Sequence, residues 1–226
     1  MGGGAGVTHY KGDLNPSFRP FLFSAGANLF GRYNFSNSLS VKAGVMGGWL
    51  RGDDRKSGYR LNEARGYRFK GSLVEYSGQL EYNFMNFRSS NRSSSAWTPY
   101  LFGGIAGYLT PNQTFKEPLG IALEPLKGLS PLISVPFGVG FKKIWKSQWN
   151  FGFEFGARLL VDPRYSDQLD QFSFKKGTNH YLDTDPSAPA APPHFIVANT
   201  PQADKYFYTN FYISYVFYKA YCPPGR

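Results

Sequence analysis

The sequence predicts an all-β fold in which eight antiparallel strands close into a membrane-spanning barrel with a side-chain-filled lumen. The first observation is the two-residue repeat in residues 149–160. One face of this segment carries Trp149, Phe151, Phe153, Phe155, Ala157 and Leu159, and the other carries Asn150, Glu154 and Arg158. A row of bulky aromatics that recurs along the chain is typical of strands whose outer face meets lipid.

The second observation is the pattern of connections between strands. The repeat predicts strands at residues 2–10, 20–35, 39–51, 69–85, 98–110, 132–144, 149–161 and 206–219. Tight turns at 36–38 and 145–148 alternate with long connections at 52–68 and 162–205. Short turns at one end and long loops at the other are typical of outer-membrane barrels, and an even strand number places both termini at the short-turn end.

Composition agrees with this fold. The chain has 226 residues, 18% of them aromatic, yet its mean hydropathy is −0.37. Polar lumen-facing side chains offset the apolar ones in any window, and no stretch approaches the roughly 20 apolar residues of a membrane helix. We expect residues 1–226 to form one integral outer-membrane domain, with 162–205 as a long extracellular loop and 219–226 as a periplasmic tail.

The repeat assigns a lipid-facing side on most strands. It predicts as lipid-facing Phe21, Phe23, Ala25, Ala27, Leu29, Gly31 and Tyr33 on the second strand; Val74, Tyr76, Leu80, Tyr82 and Phe84 on the fourth; Ile133, Val135, Phe137, Val139 and Phe141 on the sixth; and Phe207, Phe211, Ile213, Tyr215 and Phe217 on the last. The girdle at the membrane interface is expected to include Tyr206, Tyr208 and Tyr218. The orientation of the fifth strand stays undecided, because both of its faces are apolar or aromatic. Leu101, Ile105 and Leu109 lie on one face, and Tyr100, Phe102 and Tyr108 on the other.

The charged side chains lie on the strand faces opposite the lipid-facing ones. They are Arg32, Lys42, Lys142 and Arg158 against Glu75, Glu81 and Glu154. An unpaired buried charge is costly, so these groups are expected to pair. A barrel of eight strands is only wide enough to be filled by its side chains, which predicts a structural ion-pair network and no pore.

The sequence offers few candidates for catalytic or metal-binding residues. Its three histidines, His9, His180 and His194, lack metal-ligand spacing and any nucleophile signature, so we expect no metal, no cofactor and no catalytic residue. His9 near the outer rim is the one candidate if the chain were a lipid-A-modifying enzyme; the other interpretation is a polar residue at the headgroup interface. The net charge of +10 comes without a nucleic-acid-binding motif. We therefore expect no nucleic acid. Contact with outer-membrane lipid and lipopolysaccharide is the hypothesis that we carry forward, and ordinary solvated loops are the other interpretation of the basic residues.

Cys222 is the only cysteine, and it follows the last predicted strand. By topology it faces the oxidising periplasm, where a leftover cysteine indicates either an intermolecular disulfide or a free thiol. A disulfide to a periplasmic partner is the hypothesis that we carry forward.

Several segments resemble, in the same order, the PorG family of outer-membrane components of the type IX secretion system. They are Tyr10-Lys11-Gly12-Asp13-Leu14-Asn15-Pro16, Arg51-Gly52-Asp53-Asp54, Pro99-Tyr100-Leu101-Phe102-Gly103-Gly104-Ile105, Ser134-Val135-Pro136-Phe137-Gly138-Val139-Gly140-Phe141-Lys142, Trp149-Asn150-Phe151-Gly152-Phe153-Glu154 and Cys222-Pro223. The resemblance implies a non-enzymatic barrel that associates with a periplasmic ring of PorK-like lipoprotein and PorN-like protein. In that role the ring would contact Arg88, Arg92, Lys146, Lys219, Cys222 and Pro223, with Cys222 forming the disulfide.

Two alternatives remain open at this stage. A lipid-A-modifying barrel enzyme would lose activity on lipid when His9 is substituted. A soluble barrel of lipocalin type would have its charges outside and its aromatics inside, the reverse of the predicted arrangement.

Overall fold

The structure is a computed structural model, and the residues that it describes form an antiparallel sheet with short turns of 3-10 helix. It describes residues 1–12, 15, 22–56, 68–85, 87, 97–110, 113–116, 132–145, 148–161 and 205–217. Its nine described strands are β1 (Gly2–Lys11), β2 (Ser24–Asn34), β3 (Leu39–Asp53), β4 (Arg68–Asn83), β5 (Trp97–Leu109), β6 (Gln113–Lys116), β7 (Leu132–Trp145), β8 (Trp149–Leu160) and β9 (Lys205–Tyr215). Among the described residues, the model contains no helix with the length and apolar character that crossing a membrane requires.

Eight of these strands close into a barrel. In the cyclic order β1, β2, β3, β4, β5, β7, β8 and β9, every strand pairs antiparallel with the next, and β9 pairs with β1. This confirms the predicted all-β class and the eight-stranded closed barrel. The strands connected by tight turns define a turn end, and the opposite rim, from which the long connections leave, is called the loop end below.

Strand β6 is the element that the sequence did not predict. It pairs with Arg68–Gly71, the four residues of β4 nearest the loop end, whereas β5 pairs with β4 only over Val74–Asn83. Because β6 has only four residues, it is too short to show a two-residue repeat.

The two faces of the sheet are inverted relative to a soluble barrel. Large apolar side chains cover the outside, and on β5 the open question is answered: Ile105 is 68% exposed, while Tyr100 and Tyr108 are buried inside. The described outer wall is therefore apolar and the buried charges lie in the interior, which makes the chain a membrane-spanning barrel. The lipocalin-type arrangement is wrong.

The predicted interfacial girdle is partly wrong. Tyr206 and Tyr208 are 0% and 2% exposed and point into the lumen. Side chains alternate across a strand, so these two tyrosines must share the inward face with Asn210 and lie opposite Phe207 and Phe211. Tyr218, the third girdle candidate, lies outside the described residues.

Two neighbouring glycines on β5 have opposite surroundings. Gly104 lies directly across from Gln79 of β4, and a Cβ added there would meet the carbonyl oxygen of Gly78 at 2.0 Å. A Cβ added at Gly103 would have no atom within 4 Å. The strands therefore approach each other closely at Gly104, where only glycine fits.

We predict that Gly104→Val destabilises the barrel by about 3 kcal/mol or more, because a backbone carbonyl cannot move aside as a side chain would. Gly103→Val is the matched control, since its side chain enters open space on the outer face, and it should fold like the wild type. Urea unfolding in lipid vesicles, followed by tryptophan fluorescence, measures both. Equal stability of the two variants would contradict the close approach at Gly104.

Candidate functional site

The centre of the turn-end half of the lumen is a cluster of buried charges around Glu81. Its carboxylate lies 2.9 Å from the guanidinium of Arg32, 2.9 Å from the amine of Lys142 and 3.8 Å from that of Lys42. A second carboxylate, Glu154, lies 2.5 Å from Lys42 and 3.7 Å from Arg32. Three cations therefore share two carboxylates in a space closed to solvent.

The strand register explains why both acids are needed. Arg32 of β2 and Lys42 of β3 are direct cross-strand partners, so two positive side chains leave the wall at the same level. Like charges directly opposite each other are destabilising. Glu81 on β4 and Glu154 on β8 reach the two cations from other parts of the wall and compensate their charge.

Aromatic side chains complete this charged cluster. The Tyr100 hydroxyl donates a hydrogen bond to Glu154 at 2.5 Å, and Arg32 donates one to the Tyr212 hydroxyl at 3.2 Å. The Lys142 amine lies 4.6 Å from the centre of the Tyr100 ring and 4.9 Å from that of Phe87. Phe87 is buried and its backbone N–H bonds to the carbonyl of Asn37, so a ring lies under the cluster at the turn end.

A second, smaller charge cluster lies nearer the loop end. Arg158 of β8 lies 3.2 Å from Glu75 of β4, and the Tyr206 hydroxyl also donates a hydrogen bond to Glu75. The Arg158 guanidinium packs 5.4 Å from the Tyr208 ring centre and donates a hydrogen bond to the carbonyl of Gly156. Inward-facing tyrosines therefore satisfy this ion pair as well.

Beyond this pair, an apolar layer fills the loop-end part of the lumen. The layer consists of Tyr10, Met46, Leu50, Phe69, Leu73, Tyr108, Leu160, Tyr206 and Tyr208. Between the two charge clusters, the described residues line a cavity of about 20 Å³. That is room for about one water molecule. Within the described part of the chain, side chains fill the lumen.

The structure therefore brings together all seven residues of the predicted lumen network, in two clusters rather than one. Sequence reasoning did not identify the tyrosines that bond within the clusters: Tyr100 and Tyr206 bond to acids, and Tyr212 bonds to Arg32. The signal was available, because Tyr206 and Tyr212 share a strand face with Asn210, a side chain that is out of place in lipid.

The outer wall carries a girdle of paired aromatic rings at the turn end. The pairs are Tyr33 with Phe35, Tyr82 with Phe84, Trp97 with Phe141, Trp145 with Phe151, Trp149 with Tyr215, and Tyr215 with Phe217. Amphipathic rings of this kind concentrate where lipid headgroups meet the acyl chains. The girdle places the turn end at one membrane surface.

His9, the one catalytic candidate from the sequence, is 2% exposed. Its ring lies 5.4 Å from that of Phe23, edge to face, and 6.4 Å from that of Phe207. It packs in an aromatic group that β1, β9 and the residue before β2 contribute. Among the described residues, no three His, Cys, Asp or Glu side chains form a group that could hold a metal ion.

The six predicted partner-contact residues, Arg88, Arg92, Lys146, Lys219, Cys222 and Pro223, lie outside the described residues, as do His180 and His194. The neighbouring backbone is described. The Met1 amine donates a hydrogen bond to the carbonyl of Tyr215 at 3.0 Å, and the Val216 N–H bonds to the carbonyl of Gln148 at 2.8 Å. The chain therefore leaves β9 at the turn end.

Comparison with known proteins gives a family and three similar structures, which belong to two proteins. A family model described as "Domain of unknown function (DUF6089)" matches residues 1–224. The chain is similar to the N-terminal β-barrel domain of Pseudomonas aeruginosa OprF, with 8% identity, 95% of this chain and 96% of that chain covered, and a TM-score of 0.42. It is also similar to Ail, the attachment invasion locus protein of Yersinia pestis, in complex with the heparin analogue sucrose octasulfate (10% identity, 95% and 94% covered, TM-score 0.47) and in a second structure (13% identity, 95% and 94% covered, TM-score 0.42). No curated protein matches the chain.

We predict strong coupling between Glu75 and Arg158. Either single change, Glu75→Gln or Arg158→Met, leaves one buried charge uncompensated and should cost about 3–5 kcal/mol of unfolding free energy. The double variant removes both charges and should cost clearly less than the sum of the two single changes. A double-mutant cycle from urea unfolding in lipid vesicles measures the coupling.

The surface pair of Asp53 and Arg68 is the matched control. It has a similar separation, 3.3 Å, but its side chains are 17% and 46% exposed. Solvent screens such a pair, so Asp53→Asn should change stability by about 0–1 kcal/mol. Additive single effects at Glu75 and Arg158 would mean that the buried pair does not act as a unit.

Proposed function

We propose that this chain, which belongs to the DUF6089 family, is a non-enzymatic structural component of the outer membrane that anchors and helps assemble a periplasmic ring. In this proposal the ring is that of the type IX secretion system, built from PorK-like lipoprotein and PorN-like protein. The observation that carries the proposal is a lumen filled by paired charges and aromatic rings inside an apolar outer wall. A barrel of this kind holds its place in lipid and leaves its two ends for contact with other molecules.

The ion pairs support an anchor over a conduit. A solute crossing the lumen would have to separate Glu81 from Arg32 and Lys142, and each of these groups is nearly or completely buried. Removing one partner from a buried pair costs about 3–5 kcal/mol. Since several such pairs lie at successive levels, passage through the folded barrel is strongly disfavoured.

The turn end is the natural surface for the ring. The short turns and the start of the segment after β9 lie there, beside the amine of Met1. The aromatic girdle lies at the same end, at a membrane surface. In our proposal this surface is the periplasmic one, within reach of a protein lying against that leaflet. The long connections, which leave from the opposite end, are extracellular in this arrangement.

The PorG-like segments support the choice of partner in this proposal. Their order along the chain resembles that family, whose barrels associate with the PorK and PorN ring. We propose that Arg88, Arg92, Lys146 and Lys219 provide polar contacts to the ring, and that Cys222, next to Pro223, forms a disulfide with it. Lipid and lipopolysaccharide surround the barrel wall.

A filled lumen predicts a barrel that does not conduct ions. Reconstituted into planar lipid bilayers, the purified chain should give no discrete conductance steps, whereas a wide porin reconstituted in the same lipid should. Proteoliposome swelling with small sugars gives an independent measurement. Stable channels formed by the folded chain would contradict the anchor role.

Contact through the turn end predicts loss of ring recovery when its charges are reversed. In a strain carrying the type IX system, Lys146→Glu combined with Arg88→Glu should lower co-purification of PorK-like and PorN-like proteins several-fold. The matched control is Lys56→Glu at the loop end, which changes the same kind of charge on the opposite side of the membrane. Equal recovery in all variants would refute the proposed ring contact.

The disulfide predicts a reductant-sensitive species of higher mass on non-reducing gels of native membranes. Cys222→Ser should abolish this species and weaken ring recovery while the barrel stays folded. Dithiothreitol treatment of the wild type should reproduce both effects. Fatty-acid release from lipid A that requires His9 would instead favour the lipid-A-modifying enzyme.

A further inference from the structure

One part of the outer wall at the turn end holds most of the tryptophan of the chain. Trp97 begins β5, Trp145 ends β7 and Trp149 begins β8, and these are three of the four tryptophans in the sequence. The three strands are neighbours in the barrel, and the three side chains are 44–49% exposed on its lipid-facing side. Tryptophan concentrates where lipid headgroups meet acyl chains. This wall of β5, β7 and β8, called the tryptophan sector below, therefore lies at the membrane interface.

Lys143 of β7 lies in the middle of the tryptophan sector, with aromatic residues on four sides. Its direct cross-strand partners are Trp97 of β5 and Phe151 of β8, and Phe141 and Trp145 flank it on the same face of β7. The ring centroids of Trp97 and Phe141 are 5.6 Å apart, and those of Trp145 and Phe151 are 5.4 Å apart. Lys143 itself is exposed. A lysine therefore lies between two pairs of rings on the outer wall.

Lys143 is the only Lys, Arg, Asp or Glu among the described residues of the lipid-facing turn end. A charge on the lipid-facing side costs more free energy the deeper it lies in the bilayer. Lys143 is two residues from the end of β7, about 7 Å along the strand. Its long apolar stem can lie along the rings while the ammonium group extends to the headgroup level. The anion that meets the ammonium group there belongs to the lipid.

Phosphate is the lipid group that suits this position, because an ammonium group binds phosphate as a point charge. The rings of Phe141 and Phe151 beside Lys143 are 41% and 37% exposed, and they offer an apolar surface to acyl chains of the same molecule. A free phosphate ion would use only the charged part of this surface. A zwitterionic headgroup brings its own cation, which competes with Lys143 for the phosphate. The chemistry therefore favours an anionic phospholipid.

We propose that Lys143 and the four rings around it form a site for an anionic phospholipid of the leaflet at the turn end. The phosphate lies against the ammonium group, and the acyl chains lie along the rings. The site goes beyond the proposed function, because it requires only that the turn end lie at a membrane surface, whichever leaflet that is. One lipid held in this way would fix the depth of the barrel in the bilayer at its turn end.

The test is binding of phosphatidylglycerol and phosphatidylcholine with the same acyl chains to the full-length chain in a nonionic detergent, measured by native mass spectrometry. Lys143→Gln should lower the affinity for phosphatidylglycerol about fivefold, the contribution of one lysine near a membrane surface, and should lower that for phosphatidylcholine clearly less. Lys143→Arg should keep the wild-type affinities. Lys205→Gln, which removes an exposed cation at the loop end, is the matched control and should also keep them.

The rings are tested in the same assay. Trp97→Leu combined with Phe151→Leu should weaken binding of phosphatidylglycerol. Tyr33→Leu combined with Tyr82→Leu, which removes two rings of the girdle on β2 and β4, should leave it unchanged. All of these side chains lie on the outer wall, away from the lumen, so the variants should fold, which heat-dependent gel migration verifies.

Three results would overturn the site. The first is an equal effect, or no effect, of Lys143→Gln and Lys205→Gln on phosphatidylglycerol binding, because general attraction to a basic protein does not depend on the position of the lysine. The second is an equal effect of the two double ring variants. The third is displacement of the bound lipid by excess inorganic phosphate, because a site for a phospholipid also holds the acyl chains.

Discussion

Ion pairing across the lumen is the interaction on which the rest of this structure depends. The eight-stranded cylinder leaves no room for bulk water, so each charged side chain that points inward must find its partner on another strand. Lys142 and Glu81 come from β7 and β4, and Arg158 and Glu75 from β8 and β4. These pairs form only in one register, because a one-residue slip would turn every charge outward into lipid.

The same alternation that pairs the charges also builds the outer wall. The strands turn their charged side chains into the lumen and large apolar side chains to the exterior, and an inward-facing apolar layer fills the loop-end part of the lumen. Tyrosine serves on both sides. Tyr206 bonds to an acid inside the barrel, whereas Tyr33 and Tyr82 pair with phenylalanines on the outside at the turn end. The amphipathic ring suits either place, and only the parity of its position decides between them.

The two ends of the barrel also carry different side chains. The turn end has paired aromatic rings on its wall, and the loop end has opposed cations at Arg51 and Lys70 and at Lys11 and Lys205. Aromatic rings anchor a barrel at the interface, and cations bind acidic headgroups. With the lumen closed, these two ends are the surfaces through which an anchor role would operate.

The sequence by itself determined the strand period, the even number of barrel strands, the apolar exterior and the identity of the seven interior charges, because all of these follow from local alternation and connection length. Only the tertiary structure decided which charges meet, that they divide into two clusters, and that Tyr100, Tyr206 and Tyr212 bond within them. It also decided the pairing of β6 and the opposition of Arg51 and Lys70. These features depend on cross-strand register and barrel closure, which bring together residues far apart in the chain, and a local repeat carries no information about such distances.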